Sequence, residues 1–387
     1  MIKKIISHFK TKKSQNFLSH NDFRFHDYKY EDRANISSYK KNVIVYRCVN
    51  LIAEAASHVP WVVSIKRGNK FFIPESNQSL DLLKNPNSTQ SGADFFSQLI
   101  ADKLLYGNVY IVVSKNQNNK VELHLLNPEN TKILVENRMK VGYQYLDGRN
   151  SSTFKINPIT GHSNILHIKS YNPKDDLYGL SCLEAASLAI KLHDYSTEWN
   201  NSLLKNGARP SGALILKDNH LTDEQYNRLK EQLYEKYTGS YNSGKPLLLE
   251  GGLDWKEMSI SPKDMDFIES RNNASREIAL AFGVPPHLLA ISGDNTYSNM
   301  QEARLALWEE TLIPLLDKIS DSFSMWFSNI FEENLVIDFD RDSISALIEK
   351  RQNLWGKISS ANFMTMNEKR QLVGLQPIEG GDKLMNL

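Results

Sequence analysis

The sequence predicts an α+β fold spread over more than one domain, and three observations carry that prediction. The chain has 387 residues, more than one hydrophobic core comfortably organises. Between residues 108 and 170, short runs rich in β-branched and aromatic residues are punctuated by Asn, Gly and Pro. Beside helical patterns, such runs point to a mainly antiparallel sheet with flanking helices. Further on, two long helical patterns bracket a compact insert of mixed strand and helix.

In chain order, residues 1–38 are expected to form a flexible basic N-terminal arm. Its opening, MIKKIISHFKTKK, sets Ile2, Ile5, Ile6 and Phe9 at helical spacing among lysines, so a surface-seeking amphipathic helix is the other reading. It lacks the apolar core and cleavage site of a secretory signal. From Tyr39, YKKNVIVYRCVNLIAEAASHVPWVV places Ile44, Cys48, Leu51, Ile52 and Ala55 on one helical face. Pro60 ends that helix, and WVVSI reads as a strand. GADFFSQLIADKLLYGN is a second helix that closes at Gly107. VYIVVS, VELHLL, TKILVE, VGYQYL and NILHIKS then read as strands, completing an α+β domain over 39–180.

The stretch SCLEAASLAIKLHDYSTEWNNSLLKNG, residues 181–207, has Ser181 as N-cap, Glu184 three residues on and Gly207 as its stop. A helix of that length would extend about 38 Å. The insert at 208–260 reads as β-α-β-β. It holds SGALIL, a helix with a Thr222-x-x-Gln225 capping box, and KPLLLEGGLDWKEMSI as two strands around Gly251 and Gly252. Ser261-Pro262-Lys263-Asp264 opens a second long helix, which Gly283 and Val284-Pro285-Pro286 close at 285. A short polar loop follows at 286–299. Ser298-x-x-Gln301 looks like another capping box. The helix beyond repeats Leu305, Trp308, Leu312, Leu315, Ile319, Phe323, Trp326 and Ile330 in steps of three and four. Pro314 lies inside it and is expected to kink it. NLVIDFD reads as a returning strand, closing the region 300–342. Residues 343–387 carry a helix, a short second helix and a Gly-rich turn.

Composition narrows the function. Lys plus Arg number 46 against 45 for Asp plus Glu, a formal net charge of +1. A domain that grips nucleic acid through many phosphate contacts normally shows a marked basic excess. Cys48 and Cys182 lie far apart within apolar helical patterns and read as small buried hydrophobes, not a disulfide. No uncharged apolar run is long enough to predict a membrane span. There is no GxxxxGK[ST], no GxGxxG after a strand, no HExxH and no GxSxG. His287, after two prolines, has the position of a general base, although a lone loop histidine is more often a polar loop residue. Glu309-Glu310 and Glu332-Glu333 fit solvated helix faces. No catalytic residue, metal site or cofactor is expected. A buried acidic pair for metal-assisted hydrolysis stays as the enzymatic alternative.

Several stretches taken together carry a resemblance. YRCVNLIAEAASHVPW, LLYGNVYI, YGLSCLEAASLAI, NGARPSGALIL, LLEGGLDWKEMSISPKDMDFIESR, EIALAFGVPPHLLAISGDNTYSNMQEA, WEETLIPLL and MNEKRQLVGLQPIEGGD occur in this order across residues 40–385. They resemble successive blocks of the portal proteins of tailed bacteriophages, in the lambdoid branch. Each block is moderately specific; eight in order are highly specific.

The resemblance implies a ring of subunits, usually twelve, at one capsid vertex, with DNA passing along its axis during packaging and ejection. It implies a wing at 39–180, a stem of helices 181–207 and 261–285, and a clip at 208–260. It implies a tunnel loop at 286–299, the kinked helix and returning wing strand at 300–342, and a crown-like end at 343–387. The tunnel loop would bring Ser292, Gly293, Asp294, Asn295, Thr296, Tyr297, Ser298 and Asn299 towards the axis. Arg209, Arg271 and Arg276 would face DNA, a neighbour's carboxylate or solvent. Implied partners are the terminase large subunit, the major capsid protein, a head-tail adaptor and double-stranded DNA that is neither tightly nor sequence-specifically held, with no membrane. Location would be the virion, after assembly in the host cytoplasm. A phage, a prophage and a gene-transfer particle are equally compatible sources. Two other classes stand beside this reading: a metal-dependent enzyme acting on DNA ends, and a membrane-surface scaffold using residues 1–13.

Overall fold

The computed structural model describes residues 24–25, 36–68, 70–74, 77–116, 118–205, 212–216, 222–237, 253–257, 267–291, 297–375 and 377–383. The chain divides into two compact units. One comprises Met1–Tyr30, Val49–Ser181 and Asn295–Leu387; the other comprises Glu31–Cys48 and Cys182–Asp294.

Strand β1 (Arg24–Phe25) lies within the stretch expected to be an aperiodic arm. The helix expected from Tyr39 is two helices, α1 (Ser37–Lys41) and α2 (Val43–Ser57). Asn42 interrupts them because its Oδ1 accepts from the Ile44 and Val45 N–H groups at 3.0 and 3.2 Å, which caps α2. After Pro60 come β2 (Trp61–Arg67), β3 (Lys70–Phe72) and α3 (Gln78–Lys84). Helix α4 (Gly92–Tyr106) is closed by Gly107, at φ 68°, whose N–H bonds Lys103 O. The strand-rich stretch gives β4 (Asn108–Lys115), β5 (Val121–Leu126), β6 (Thr131–Glu136), β7 (Met139–Asp147), β8 (Asn150–Lys155) and β9 (Ile165–Lys169).

Next come α5 (Cys182–Ala185) and α6 (Ser187–Lys205), nearly continuous because Ala186 N–H bonds Cys182 O and Ile190 N–H bonds Ala186 O. The insert contributes β10 (Gly212–Leu216), α7 (Asp223–Tyr237) and β11 (Leu253–Glu257). The Thr222–Gln225 capping box forms: Gln225 N–H bonds Thr222 Oγ1 at 3.3 Å and Thr222 N–H bonds Gln225 Oε1 at 3.1 Å. Helix α8 (Phe267–Phe282) follows; its expected start at Ser261 and Pro262 lies outside the described residues. The remainder is α9 (Tyr297–Ala306), α10 (Ile313–Phe331), β12 (Leu335–Phe339), α11 (Ile348–Ser359) and α12 (Met366–Leu372).

Every described strand pairing is antiparallel. The sheets run β1-β6-β7-β8, β5-β4-β9, β12-β2-β3 and β10-β11. In the first unit one core joins two sheets: Tyr110, Val112, Leu126 and Ile165 meet Ile133, Tyr143 and Tyr145. A second is aromatic. Phe96 of α4 stands 4.6 Å from Trp61 and 5.8 Å from Phe323 between ring centroids, and Trp61 is 6.4 Å from Phe339. Helix α10 also closes the free side of β12. Ser324 and Ser328, one turn apart, accept from the Ile337 and Leu335 N–H groups at 2.8 and 3.0 Å. An edge strand is thereby satisfied without a further strand.

Candidate functional site

The sequence points to the long helices and the segment after them, so that region is built first. Helices α6 and α8 pack on each other. Helix α6 buries Ala189, Ile190, His193 and Ser196, and α8 buries Ala274, Ser275, Ile278, Ala279 and Phe282. The two serines leave no orphan hydroxyl, since each donates to its own helix, at Leu192 O (2.8 Å) and Arg271 O (2.9 Å).

A buried histidine needs a partner, and the residue between α1 and α2 supplies it. Asn42, only 2% exposed, holds its Nδ2 at 3.1 Å from His193 Nδ1 and donates to Asp194 Oδ1 at 2.8 Å. With an amide N–H as neighbour, Nδ1 is the acceptor and the neutral ring carries its proton on Nε2. Burial pushes the imidazole below its ordinary pKa; Asp194 pulls it up and Arg271 pushes it further down.

The three arginine candidates separate. Arg271 lies at i, i+3 and i+7 from Ala274 and Ile278, on the α8 face that meets α6, and its charge reaches His193. Arg276 lies on the opposite face, where its Nη1 donates to Asn273 Oδ1 at 3.2 Å. Arg209 lies outside the described residues.

Helix α8 ends in a Schellman turn. Gly283, at φ 70°, bonds Leu280 O at 3.0 Å, and Val284 N–H bonds Ala279 O at 2.9 Å. Pro286–Leu289 then form a single 3-10 turn that contains His287, and Ala290 follows at φ 54°. Of the loop candidates, Ser292, Gly293, Asp294, Asn295 and Thr296 lie outside the described residues. Tyr297, Ser298 and Asn299 open α9, which corrects the capping box expected at Ser298: an N-cap must stand outside the helix, and Ser298 is its second residue.

Pro314 does not end the helical run. Residues Leu307–Leu312 widen into a π-helical turn, with Ile313 N–H reaching Trp308 O, five residues back. A proline ring clashes with the carbonyl four residues earlier. The wider turn gives it room and leaves Pro314 in the first turn of α10.

Two blocks of the resemblance meet in the first unit. LLYGN and YGLS touch backbone to backbone: a Cβ on Gly179 would lie 2.1 Å from Gly107 O and 2.6 Å from Ser170 N. Asn108 bolts the approach. Its Oδ1 accepts from Gly179 N–H at 2.7 Å, and its Nδ2 donates to Gly179 O at 3.2 Å and Tyr106 O at 2.9 Å. His167 Nε2, 3.0 Å from the same Oδ1, donates to it. His167 stacks on Tyr110 at 4.4 Å, and burial among Lys140, Lys169 and Lys103 holds its pKa well below the ordinary value. The terminal block has a bolt of the same kind. Asn367 Oδ1 accepts from Ile378 N–H at 2.8 Å, while its Nδ2 donates to Ile378 O and Asp382 Oδ1 at 3.0 and 2.8 Å. Gly381 is required there, because a Cβ would come within 2.3 Å of Asn367 Oδ1. Sequence reasoning missed Asn42, Asn108, His193 and Asn367; only Asn108 carried a local signal, standing directly after the helix stop at Gly107.

Among the described residues no group of three or more His, Cys, Asp or Glu is placed to hold a metal ion. No described helix is long and apolar enough to cross a membrane. The sequence model of the family described as "Phage portal protein" matches residues 43–374, and the chain belongs to that family. An uncharacterised protein of Rickettsia felis is 60% identical over 376 residues, covering 97% of each chain. Two solved structures resemble the fold closely. One is the neck of an empty gene transfer agent particle computed with C6 symmetry, with a TM-score of 0.69 and 39% identity over 90% of this chain and 95% of the other. The second is the neck of the native particle computed with C12 symmetry, with a TM-score of 0.66 and 40% identity over 88% and 92%. The α+β portal fold, the portal role and a place at the particle vertex are thereby the properties of this chain.

Proposed function

We propose that copies of this chain close into a ring at the vertex, that double-stranded DNA crosses the particle boundary along the ring axis, and that the chain performs no chemistry of its own. One observation carries the ring: α6 is apolar on two sides. Away from its buried Ala189, Ile190 and His193 it presents Leu188, Leu192, Tyr195 and Trp199, which are 80, 45, 67 and 42% exposed. They recur at i, i+4, i+7 and i+11, a single stripe. A helix with two apolar faces is stable in water only when something covers the second. Neck structures with C6 and C12 symmetry, at 39 and 40% identity, support another copy as that cover and twelve as its number.

The formal net charge of +1 suits a conduit, since each phosphate contact adds affinity and resists sliding. We assign the 208–260 insert, with α7 and the β10–β11 pair, to the terminase large subunit and later to a head-tail adaptor. The sheet-rich unit goes to the major capsid protein. The polar segment Ser292–Asn299 is the part expected to approach DNA. Light scattering of the purified chain tests the assembly: the mass of a closed ring of many protomers is expected. A monomer that cleaves DNA ends when magnesium is added would replace this reading with the enzymatic one.

A further inference from the structure

The sheet-rich unit gathers three lysines around one buried histidine. Lys140 follows Met139 at the start of β7, Lys169 closes β9, and Lys103 stands in the last turn of α4. His167 and Lys169 are two residues apart on β9 and so share a face, with Tyr110 and Asn108 opposite them on β4. Contacts link the three lysines. Lys140 Nζ donates to Tyr143 Oη at 2.9 Å and lies 5.2 Å from the centroid of that ring. The Tyr143 ring in turn meets His167 edge-on at 5.9 Å. Lys103 Nζ donates at 3.1 Å to the hydroxyl of Ser170, which follows Lys169 in the chain. Lys169 Nζ donates to the Asp176 carbonyl. We propose that Lys103, Lys140 and Lys169 form a binding site for a phosphate group, with the Ser170 and Tyr143 hydroxyls beside it.

Like charges gathered at a buried ring are costly without a counter-charge. Among the described residues, no carboxylate lies within salt-bridge distance of Lys140 or Lys169. The accumulated charge is felt locally. Burial first and Lys169 second push the Lys140 ammonium below its ordinary pKa, and all three lysines add to the burial that lowers His167. His167 donates through Nε2 to Asn108 Oδ1 as a neutral ring, so it supplies no counter-charge. Lys103 is only 6% exposed, whereas Lys140 and Lys169 as whole residues are exposed, so an anion can reach the cluster. The donors select its type. A carboxylate is best matched by the planar fork of arginine, and none of the three cations is one. A phosphate monoester carries about −1.5 to −2 charges and three acceptor oxygens, which suit several ammonium groups arriving from different elements. Burial raises the Tyr143 pKa, so its hydroxyl keeps a proton to donate.

The site lies within one chain, so its test does not depend on the ring reading. Inorganic phosphate is titrated into the full-length chain by calorimetry at constant ionic strength. Saturable binding of one phosphate per chain is expected. Lys140→Met with Lys169→Met should weaken it about tenfold or more. Lys66→Met with Lys70→Met, which removes two exposed lysines of the same unit, should leave it unchanged. Without phosphate, the Lys140/Lys169 variant should melt no lower than wild type, because like charges have been removed. Wild type without saturable binding overturns the site. Equal binding by the Lys140/Lys169 variant, or equal weakening in the Lys66/Lys70 variant, overturns it too. A short blunt DNA duplex then identifies the source of the phosphate. Competition with inorganic phosphate supports a nucleic-acid backbone, and phosphate binding that the duplex leaves unchanged supports a free phosphate compound.

Discussion

Gly179 and Gly107 are fixed by space and not by flexibility alone. Because the atoms that a new Cβ would strike are backbone, no rotamer change relieves the overlap. Gly179→Ala is expected to cost at least about 3 kcal/mol in urea unfolding. Gly356 supplies the contrast: it lies within α11 with nothing near its missing Cβ. Gly356→Ala is expected to stabilise by about 0.5–1 kcal/mol. Titration adds a second residue-scale expectation. His167 and His193 both have folded pKa values below the ordinary one, so the unfolded chain binds protons first. Their contribution is complete above about pH 6.5 and is lost as pH falls through the folded values. Asp102 runs the other way. Burial raises it to about 7, so the fold loses stability as pH rises from the ordinary carboxylate range towards 7. Asp102→Asn should therefore raise the melting temperature at pH 8 and leave it nearly unchanged at pH 4.

At the scale of elements, α10 and the terminal turn give the sharpest expectations. Removing the Ser324 hydroxyl takes the side-chain acceptor from the Ile337 N–H, and Ser324→Ala is expected to lose about 1–3 kcal/mol in urea unfolding; Ser328→Ala is expected to lose less, because the Leu335 N–H also bonds Glu333 O at 2.9 Å. Asn367→Ala opens three side-chain bonds to the last described residues. Limited proteolysis should then remove the tail after α12 while the remaining fold melts within a few degrees of wild type. Much of this level was legible in the sequence: the Thr222–Gln225 box, the stop at Gly107 and the strands with β-branched runs are local features. Other elements were not. Strand β8, NSSTFK, is polar and shows little alternation, so only its pairing with β7 defines it. Strand β1 and strand β3 are two and three residues long, too short for a period. The π turn before Pro314 answers a steric conflict that helical periodicity does not encode. The bolts at Asn42 and Asn108 join residues 151 and 71 positions apart, which no local pattern reveals.

The whole molecule combines two kinds of surface that a monomer has little use for. Helix α6 carries an exposed apolar stripe, and α8 exposes charged residues such as Glu269 and Glu277; the proposed closed ring gives each a place. The sheet-rich unit is packed around the aromatic core of Trp61, Phe96, Phe323 and Phe339. The docking role proposed for the 208–260 insert rests on the resemblance alone, because binding surfaces leave little periodic trace in one sequence. Electron microscopy of the purified full-length chain tests the central claim most directly. The account predicts closed rings with rotational symmetry, twelve-fold in the particle, and an open axial hole wide enough for a duplex. Isolated protomers, or open filaments without a hole, would contradict it.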